Sequence, residues 1–189
     1  YTGNATNGAT VGHGLNAAPD LIIIKNRDDG GTYWVTYHSA LGGTKALALN
    51  RTDSVLTNSL PFNNTNPTSS VFTIGAGGSY SYSNNQSGED HVAYCFSAVE
   101  GYSAFGQWEA NSSNDGPFVH TGFRPRWILM KHADISYNWL LWDTARSPEN
   151  AMTRVLFPNT ADAEAEGTGY SLDVLSNGFK VRNTFYQNQ

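Results

Sequence analysis

Cys95 is the only cysteine in the chain, so no intrachain disulfide can form and stability must come from packing. It sits in the apolar run Val92-Ala93-Tyr94-Cys95-Phe96, the surroundings of a buried, inert thiol rather than of a nucleophile. Charge is also scarce. Only 14% of the 189 residues are charged, and the formal net charge is -5. The 11 basic residues are scattered, which argues against nucleic acid, because phosphate binding calls for clustered Lys and Arg. No apolar stretch reaches the roughly 18 residues of a membrane-spanning helix, and signal-peptide and lipidation motifs are missing. Membrane insertion is therefore not expected. The chain starts abruptly at Tyr1 and stops abruptly at Gln189, as an excised or processed piece of something longer would.

Recognisable catalytic chemistry is missing too. There is no P-loop, no dinucleotide fingerprint and no nucleophile elbow. A glycosidase on a β scaffold needs two carboxylates about 5 to 10 Å apart. Glu164-Ala165-Glu166 has suitable spacing, but it lies in an Ala-rich stretch, and the region matching it earlier in the chain, Asp53-Ser54-Val55, lacks the second acid. A polysaccharide-active enzyme is thus the weakest reading. His13, His38, His91, His120 and His132 show no metal-ligand spacing, and no metal site or cofactor is expected. Asp28-Asp29 and Asp115 lie in Gly-containing loops whose oxygens would suit calcium, yet they lack a regular Asp-x-Asp-x-Asp pattern. Sequons begin at Asn4, Asn50, Asn63, Asn85 and Asn111. In a chain so rich in Asn, Ser and Thr they are expected by chance and do not mark glycosylation.

What the sequence does have is Asn, Thr, Ser and Gly, which favour turns and strands over long helices, and a high aromatic content of 13%. It also has a repeat. Val11-Gly-His-Gly-Leu15 and Pro19-Asp-Leu-Ile-Ile-Ile-Lys25 are answered by Val119-His-Thr-Gly-Phe123 and Pro125-Arg-Trp-Ile-Leu-Met-Lys131. Trp34-Val-Thr-Tyr37-His38-Ser39-Ala40 is answered by Trp139-Leu-Leu-Trp142-Asp143-Thr144-Ala145, with one residue lost in the intervening turn, where indels are tolerated. Further matches join Leu47–Asn50 to Val155–Asn159, Val71–Ile74 to Gly178–Arg182, and Asn85-Gln86 to Asn188-Gln189. The first copy continues into the strand Val92–Phe96, and the second stops before an equivalent. Another segment or subunit would complete its sheet.

The apolar runs Leu21–Lys25 and Trp127–Lys131 predict strands covered on both faces. Tyr33–His38, Asn138–Asp143, Val71–Ile74, Phe179–Val181 and Val92–Phe96 predict further strands. Asp28–Gly31, Asn63–Pro67 and Gly75–Gly78 predict turns. Thr160–Glu166 is the only helix candidate, of one or two turns. The expected fold is all-β, with β-sandwich or jelly-roll-like, lectin-like units in tandem. The first unit spans 1–99, a connector spans 100–107, and the second unit spans 108–189 without its closing strand.

Two aromatic-polar strands recur at equivalent places, and they are where a sugar could stack on a ring while its hydroxyls meet a polar group. Alternation puts Trp34 and His38 on one face and Tyr37 on the other. Trp34 and Trp139 match as repeated core anchors. That leaves Tyr37 and Trp142 on a face that could be open, and the candidate ligand contacts are Tyr33, Tyr37, His38, Trp142 and Asp143. Each of these aromatics could equally be a core residue.

The segments Val11–Arg27, Thr68–Ile74, His91–Phe96, Val99–Gly106, Asp115–Pro125 and Leu175–Lys180 resemble, as a set, stretches common in structural proteins of tailed bacteriophages, especially marine ones. Such stretches occur near the C-terminal ends of long tail-fibre-like or minor structural proteins, where the last unit runs on into a Gly-rich turn and an aromatic closing strand. The resemblance implies a virion location, other virion subunits or further copies of itself as partners, and contact with a host-surface glycan. It supplies no catalytic residues. The function it implies is a non-enzymatic structural or adhesion module, with a purely structural assembly role in a fibre or capsid as the alternative.

Overall fold

The computed structural model describes residues 1–76, 81–185 and 188. The chain divides into two compact units, Tyr1–Ala98 and Val99–Gln189, and it is all-β in several small sheets. Among the described residues the only helix is a single 3-10 turn at Thr168–Tyr170, and no helix is long and apolar enough to cross a membrane.

The first unit carries β1 (Ala9–Gly12), β2 (Leu21–Asn26), β3 (Val35–His38), β4 (Lys45–Ala48), β5 (Leu56–Thr57), β6 (Val71–Ile74) and β7 (His91–Phe96). Five of these form one antiparallel sheet in the order β5-β4-β3-β2-β7, and β1 pairs with β6 separately. Side chains alternate across the sheet. Ile22 and Ile24 of β2, opposite Tyr37 and Val35 of β3, point inward and meet Ala46, Phe62, Phe72 and Ile74 in the core. Each fully buried side chain of this kind contributes about 1.5–3 kcal/mol. The turn after β2 is organised by Asn26, whose Oδ1 accepts the N–H groups of Asp28 and Asp29 at 2.9 and 3.0 Å.

The second unit carries β8 (Phe118–His120), β9 (Trp127–Met130), β10 (Leu140–Asp143), β11 (Arg154–Val155), β12 (Ala165–Glu166), β13 (Leu172–Leu175) and β14 (Gly178–Val181). The strands pair as β10-β9, β11-β12 and β13-β14-β8. Ile128, Met130, Leu140, Trp142, Met152, Val155, Leu172, Val174, Phe179 and Val181 make its core. At its entrance, Val99 and Ser103 close a tight turn in which Val99 N–H donates to the Ser103 carbonyl at 3.2 Å.

The predicted strands are present within a residue or two of their expected bounds, but three expectations fail. Thr160–Glu166 is not helical. Its end is the strand β12, because Ala165 pairs with Val155 and packs on the core, and tertiary contacts outweigh the helix preference of the alanines. The runs Leu21–Lys25 and Trp127–Lys131 are not covered on both faces either. Leu21 and Ile23 remain partly open, and Trp127 is 57% exposed. Trp34 is only half-buried, whereas Trp139 is buried. Gly77 and Gly78 of the expected Gly75–Gly78 turn, and Gln189 of the Asn188-Gln189 match, lie outside the described residues.

One buried asparagine fastens each unit. Asn85 accepts the Asn4 N–H on Oδ1 at 2.8 Å, and its Nδ2 donates to the carbonyls of Thr6 at 2.9 Å and Gly75 at 2.8 Å. Asn188 accepts the Asn111 N–H at 2.8 Å, and its Nδ2 donates to the carbonyls of Ser113 at 2.6 Å and Asn183 at 2.8 Å. Both side chains are 0% exposed. Truncation strands several buried polar groups, each costing about 1–3 kcal/mol. Asn85→Ala and Asn188→Ala should each lower stability by roughly 3 kcal/mol or more, measured as a shifted denaturant midpoint. Asn85→Asp should do no better, because a carboxylate would face two carbonyls.

Candidate functional site

Of the residues expected to contact a ligand, Tyr33, Tyr37 and His38 lie in the first unit and Trp142 and Asp143 in the second. Tyr37 is 4% exposed and Trp142 is 1% exposed. Both are core residues, with Tyr37 edge-on to Phe62 at 5.5 Å and the Trp142 Nε1–H donating to the Tyr170 carbonyl at 2.9 Å. The face that alternation left open is thus the inward one. Burial, with Asp20 adding to it, pushes the Tyr37 hydroxyl up. His38 and Asp143 close the turns after β3 and β10. The Ala40 N–H donates to His38 Nδ1 at 3.2 Å, and the Ala145 N–H donates to Asp143 Oδ1 at 2.7 Å. The polar group of each is thereby used to hold backbone.

Tyr33 lies in a cluster of rings and charges. It is half-exposed, lies edge-on to Tyr82 at 5.1 Å, and has the Arg51 guanidinium over its ring at 5.1 Å. Arg51 in turn meets Asp53 at 3.2 Å. Burial, followed by the nearby Asp53 charge, pushes the Tyr82 hydroxyl up to about 12.

A larger surface feature lies on the outer side of β2 and β7. The strand register sets Phe96 opposite Leu21, Tyr94 opposite Ile23 and Val92 opposite Lys25. Tyr94 is 46% exposed and Phe96 is 45% exposed. Leu21 also faces His38 across β3, so His38 extends the row begun by Phe96. Alternate residues stand about 7 Å apart on one face, which places two rings side by side at a sheet edge. Their inward neighbours, Ala93 and Cys95, are small and pack on the core. Burial pushes the Cys95 thiol up to about 11. Alternation already aligned Val92, Tyr94 and Phe96. The small residues between them were the available signal that the bulky ones face out.

Carboxylates considered for other chemistry have close partners. Glu164 meets Arg146 at 2.6 Å and Glu166 meets Arg154 at 3.4 Å. Asp115 meets Lys180 at 2.7 Å, which holds its carboxyl below the usual range. Asp28 Oδ2 accepts the Asp90 N–H at 2.6 Å, and Asp29 Oδ1 accepts the Gly31 N–H at 2.7 Å. Among the described residues no group of three or more His, Cys, Asp or Glu could hold a metal ion.

His91, at the start of β7, is 3% exposed. It stacks on Tyr1 at 5.0 Å, its Nδ1 lies 3.0 Å from the Glu89 carbonyl, and its Nε2 lies 3.1 Å from the Gln86 side-chain amide. Burial pulls its pKa down, against an opposing contribution from Glu89, and burial also pulls His38 down. The unfolded chain therefore takes up protons near the ordinary histidine pKa of about 6.5 that the folded rings refuse. Stability should be complete above that pH and fall as the pH drops from about 7 to 5. His91→Gln should flatten the decline in denaturant midpoints measured across that window. Separately, Trp142→Ala should cost about 3–5 kcal/mol of stability, read by denaturant unfolding. An exposed ligand contact would show no such loss.

The family model for DUF7483, a domain of unknown function, matches residues 1–189. No curated protein and no solved structure matches the chain. Because that one model covers the chain from end to end, the chain belongs to the DUF7483 family.

Proposed function

We propose that this chain is a non-enzymatic structural and adhesion module of a tailed-phage virion, built from two copies of one β-sandwich-like unit. The observation that carries the docking role is the apolar face of Leu21, Ile23, Val92, Tyr94 and Phe96 at the edge of the five-stranded sheet. Exposed rings beside partly exposed aliphatic side chains at a sheet edge favour contact with another surface. The phage-like segments named above supply the virion setting, and the partners are other virion subunits or further copies of this chain.

The duplicated unit is supported by pairs of like contacts. Trp34 N–H donates to Asn50 Oδ1 at 2.9 Å, and Trp139 N–H donates to Asn159 Oδ1 at 2.9 Å. Lys25 Nζ donates to the carbonyls of Asp29 and Thr32, and Lys131 Nζ donates to those of His132 and Ile135. The two asparagine clasps make a third pair.

A second reading, recognition of a host-surface glycan, is favoured by the ring and charge cluster of Tyr33, Tyr82, Arg51 and Asp53. One set of variants separates the two. Tyr94→Ser/Phe96→Ser should abolish self-association seen by light scattering, or weaken virion-partner binding at least tenfold, with the unfolding midpoint little changed. Tyr33→Ala should leave assembly intact and reduce binding in a glycan screen or whole-cell adsorption assay. If both the screen and adsorption are negative for the parent chain, the adhesion role fails. If the parent chain neither self-associates nor loses partner binding on the double substitution, the assembly role fails.

A further inference from the structure

Each unit contains an antiparallel hairpin with the same register. Leu21 faces His38 and Ile24 faces Val35 in the first, and Trp127 faces Asp143 and Met130 faces Leu140 in the second. The hairpins differ in what lies beside them. In the first, Ser39 N–H donates to the Asp20 carbonyl at 2.8 Å. Hydrogen-bonded pairs alternate along an antiparallel ladder, so Ile22 and Ile24 bond to β3, while Leu21, Ile23 and Lys25 turn their backbone groups toward β7. Arg27 N–H, donating to the Asp90 carbonyl at 2.8 Å, extends that second ladder.

In the second hairpin, Thr144 N–H donates to the Arg126 carbonyl at 3.0 Å. The same alternation directs Ile128 and Met130 to β10 and leaves the N–H and C=O groups of Trp127 and Leu129 on the opposite edge. Among the described residues, no strand or isolated bridge pairs with that edge. The side chains beside it are less covered than their counterparts. Ile128 and Met130 are 9% and 6% exposed, against 0% and 1% for Ile22 and Ile24, and Trp127 is 57% exposed.

We propose that this edge of β9 is an acceptor for one added antiparallel strand of the β7 type, supplied by a partner polypeptide segment. The first unit specifies the occupant. Small side chains would face Ile128 and Met130, as Cys95 faces Ile22 and Ala93 faces Ile24. Large apolar side chains would stand opposite Trp127 and Leu129, as Phe96 and Tyr94 stand opposite Leu21 and Ile23. Backbone hydrogen bonds give such strand addition its affinity, and alternating side chains give it selectivity. A second copy is a poor donor, because its own β7 is held to β2 through six residue pairs. The inference rests on reading the units as copies of one module and is independent of the virion and adhesion readings.

The test uses the full chain and a synthetic peptide with the sequence of residues 88–97, carrying Cys95→Ala, with exchange of individual amides followed by NMR. Saturating peptide should slow exchange at Trp127 and Leu129 at least tenfold. The same peptide with Tyr94→Pro should have no effect. A second arm fuses the peptide after Gln189 through a flexible linker, which raises its local concentration to about the millimolar range and should reproduce the same protection. Failure to protect Trp127 and Leu129 in both arms overturns the proposal. Protection confined to residues 21–25 also overturns it, because the peptide would then have displaced β7. So does protection of Trp127 and Leu129 in the parent chain alone that appears with rising protein concentration, because the edge would then pair between copies. Loss of assembly on Tyr94→Ser/Phe96→Ser has no bearing on any of these outcomes, so the two readings fail separately.

Discussion

A buried primary amide closes each unit where no strand ladder can. Asn85 links the segment at Asn4 and Thr6 to the end of β6 at Gly75, and Asn188 links Asn111 and Ser113 to Asn183 beyond β14. An asparagine side chain suits the task because it offers one acceptor and two donors in a fixed plane. With no disulfide available, these clasps hold loops that the hydrophobic core does not reach. The approach of backbone to backbone around them is close. A Cβ on Gly3 would run into the Gln86 carbonyl, and one on Gly116 would lie 3.0 Å from Asn188 Nδ2. Glycine at those two positions is what lets the clasped segments meet.

Around the clasps, polar side chains near the hairpins mostly serve the backbone. His38 and Asp143 accept N–H groups from the turns that follow their strands. Lys25 and Lys131 donate to carbonyls in the turns after β2 and β9. Polar recurrence between the two halves therefore reflects turn construction more than ligand chemistry. The large apolar side chains that the sheets leave exposed include Tyr94 and Phe96 on β7 and Trp127 on β9. Sheets of so few strands have only two faces and two edges to dispose of, so an edge strand determines both what is buried and what is offered.

Much of the strand pattern was legible in the sequence. Continuous apolar runs located β2 and β9, short strand-forming stretches located β3, β6, β7, β10 and β14, and alternation grouped Val92 with Tyr94 and Phe96. It did not say which group faced the core. Tyr37 and Trp142 read as candidates for an open face, yet they are the inward pair, because Ile22 and Ile24 stand beside Tyr37 and Val35, while Ile128 stands beside Trp142. Period-two patterning fixes which residues share a face, and only the partner layer distinguishes in from out. The helix expected at Thr160–Glu166 failed for a related reason. Local preference favoured it, but Val155 supplied a strand partner for Ala165.

By itself the sequence determined the all-β class, the reliance on packing in place of disulfides, the matched segments of the two halves and the asparagines that recur in them. These follow from composition and local periodicity, which are properties of neighbours along the chain. Tertiary structure decided that Tyr37 and Trp142 are core, that Tyr94 and Phe96 are surface, and that, among the described residues, β2 is flanked on both edges and β9 on one. Those outcomes depend on which strand lies beside which, and residues far apart in sequence set that pairing.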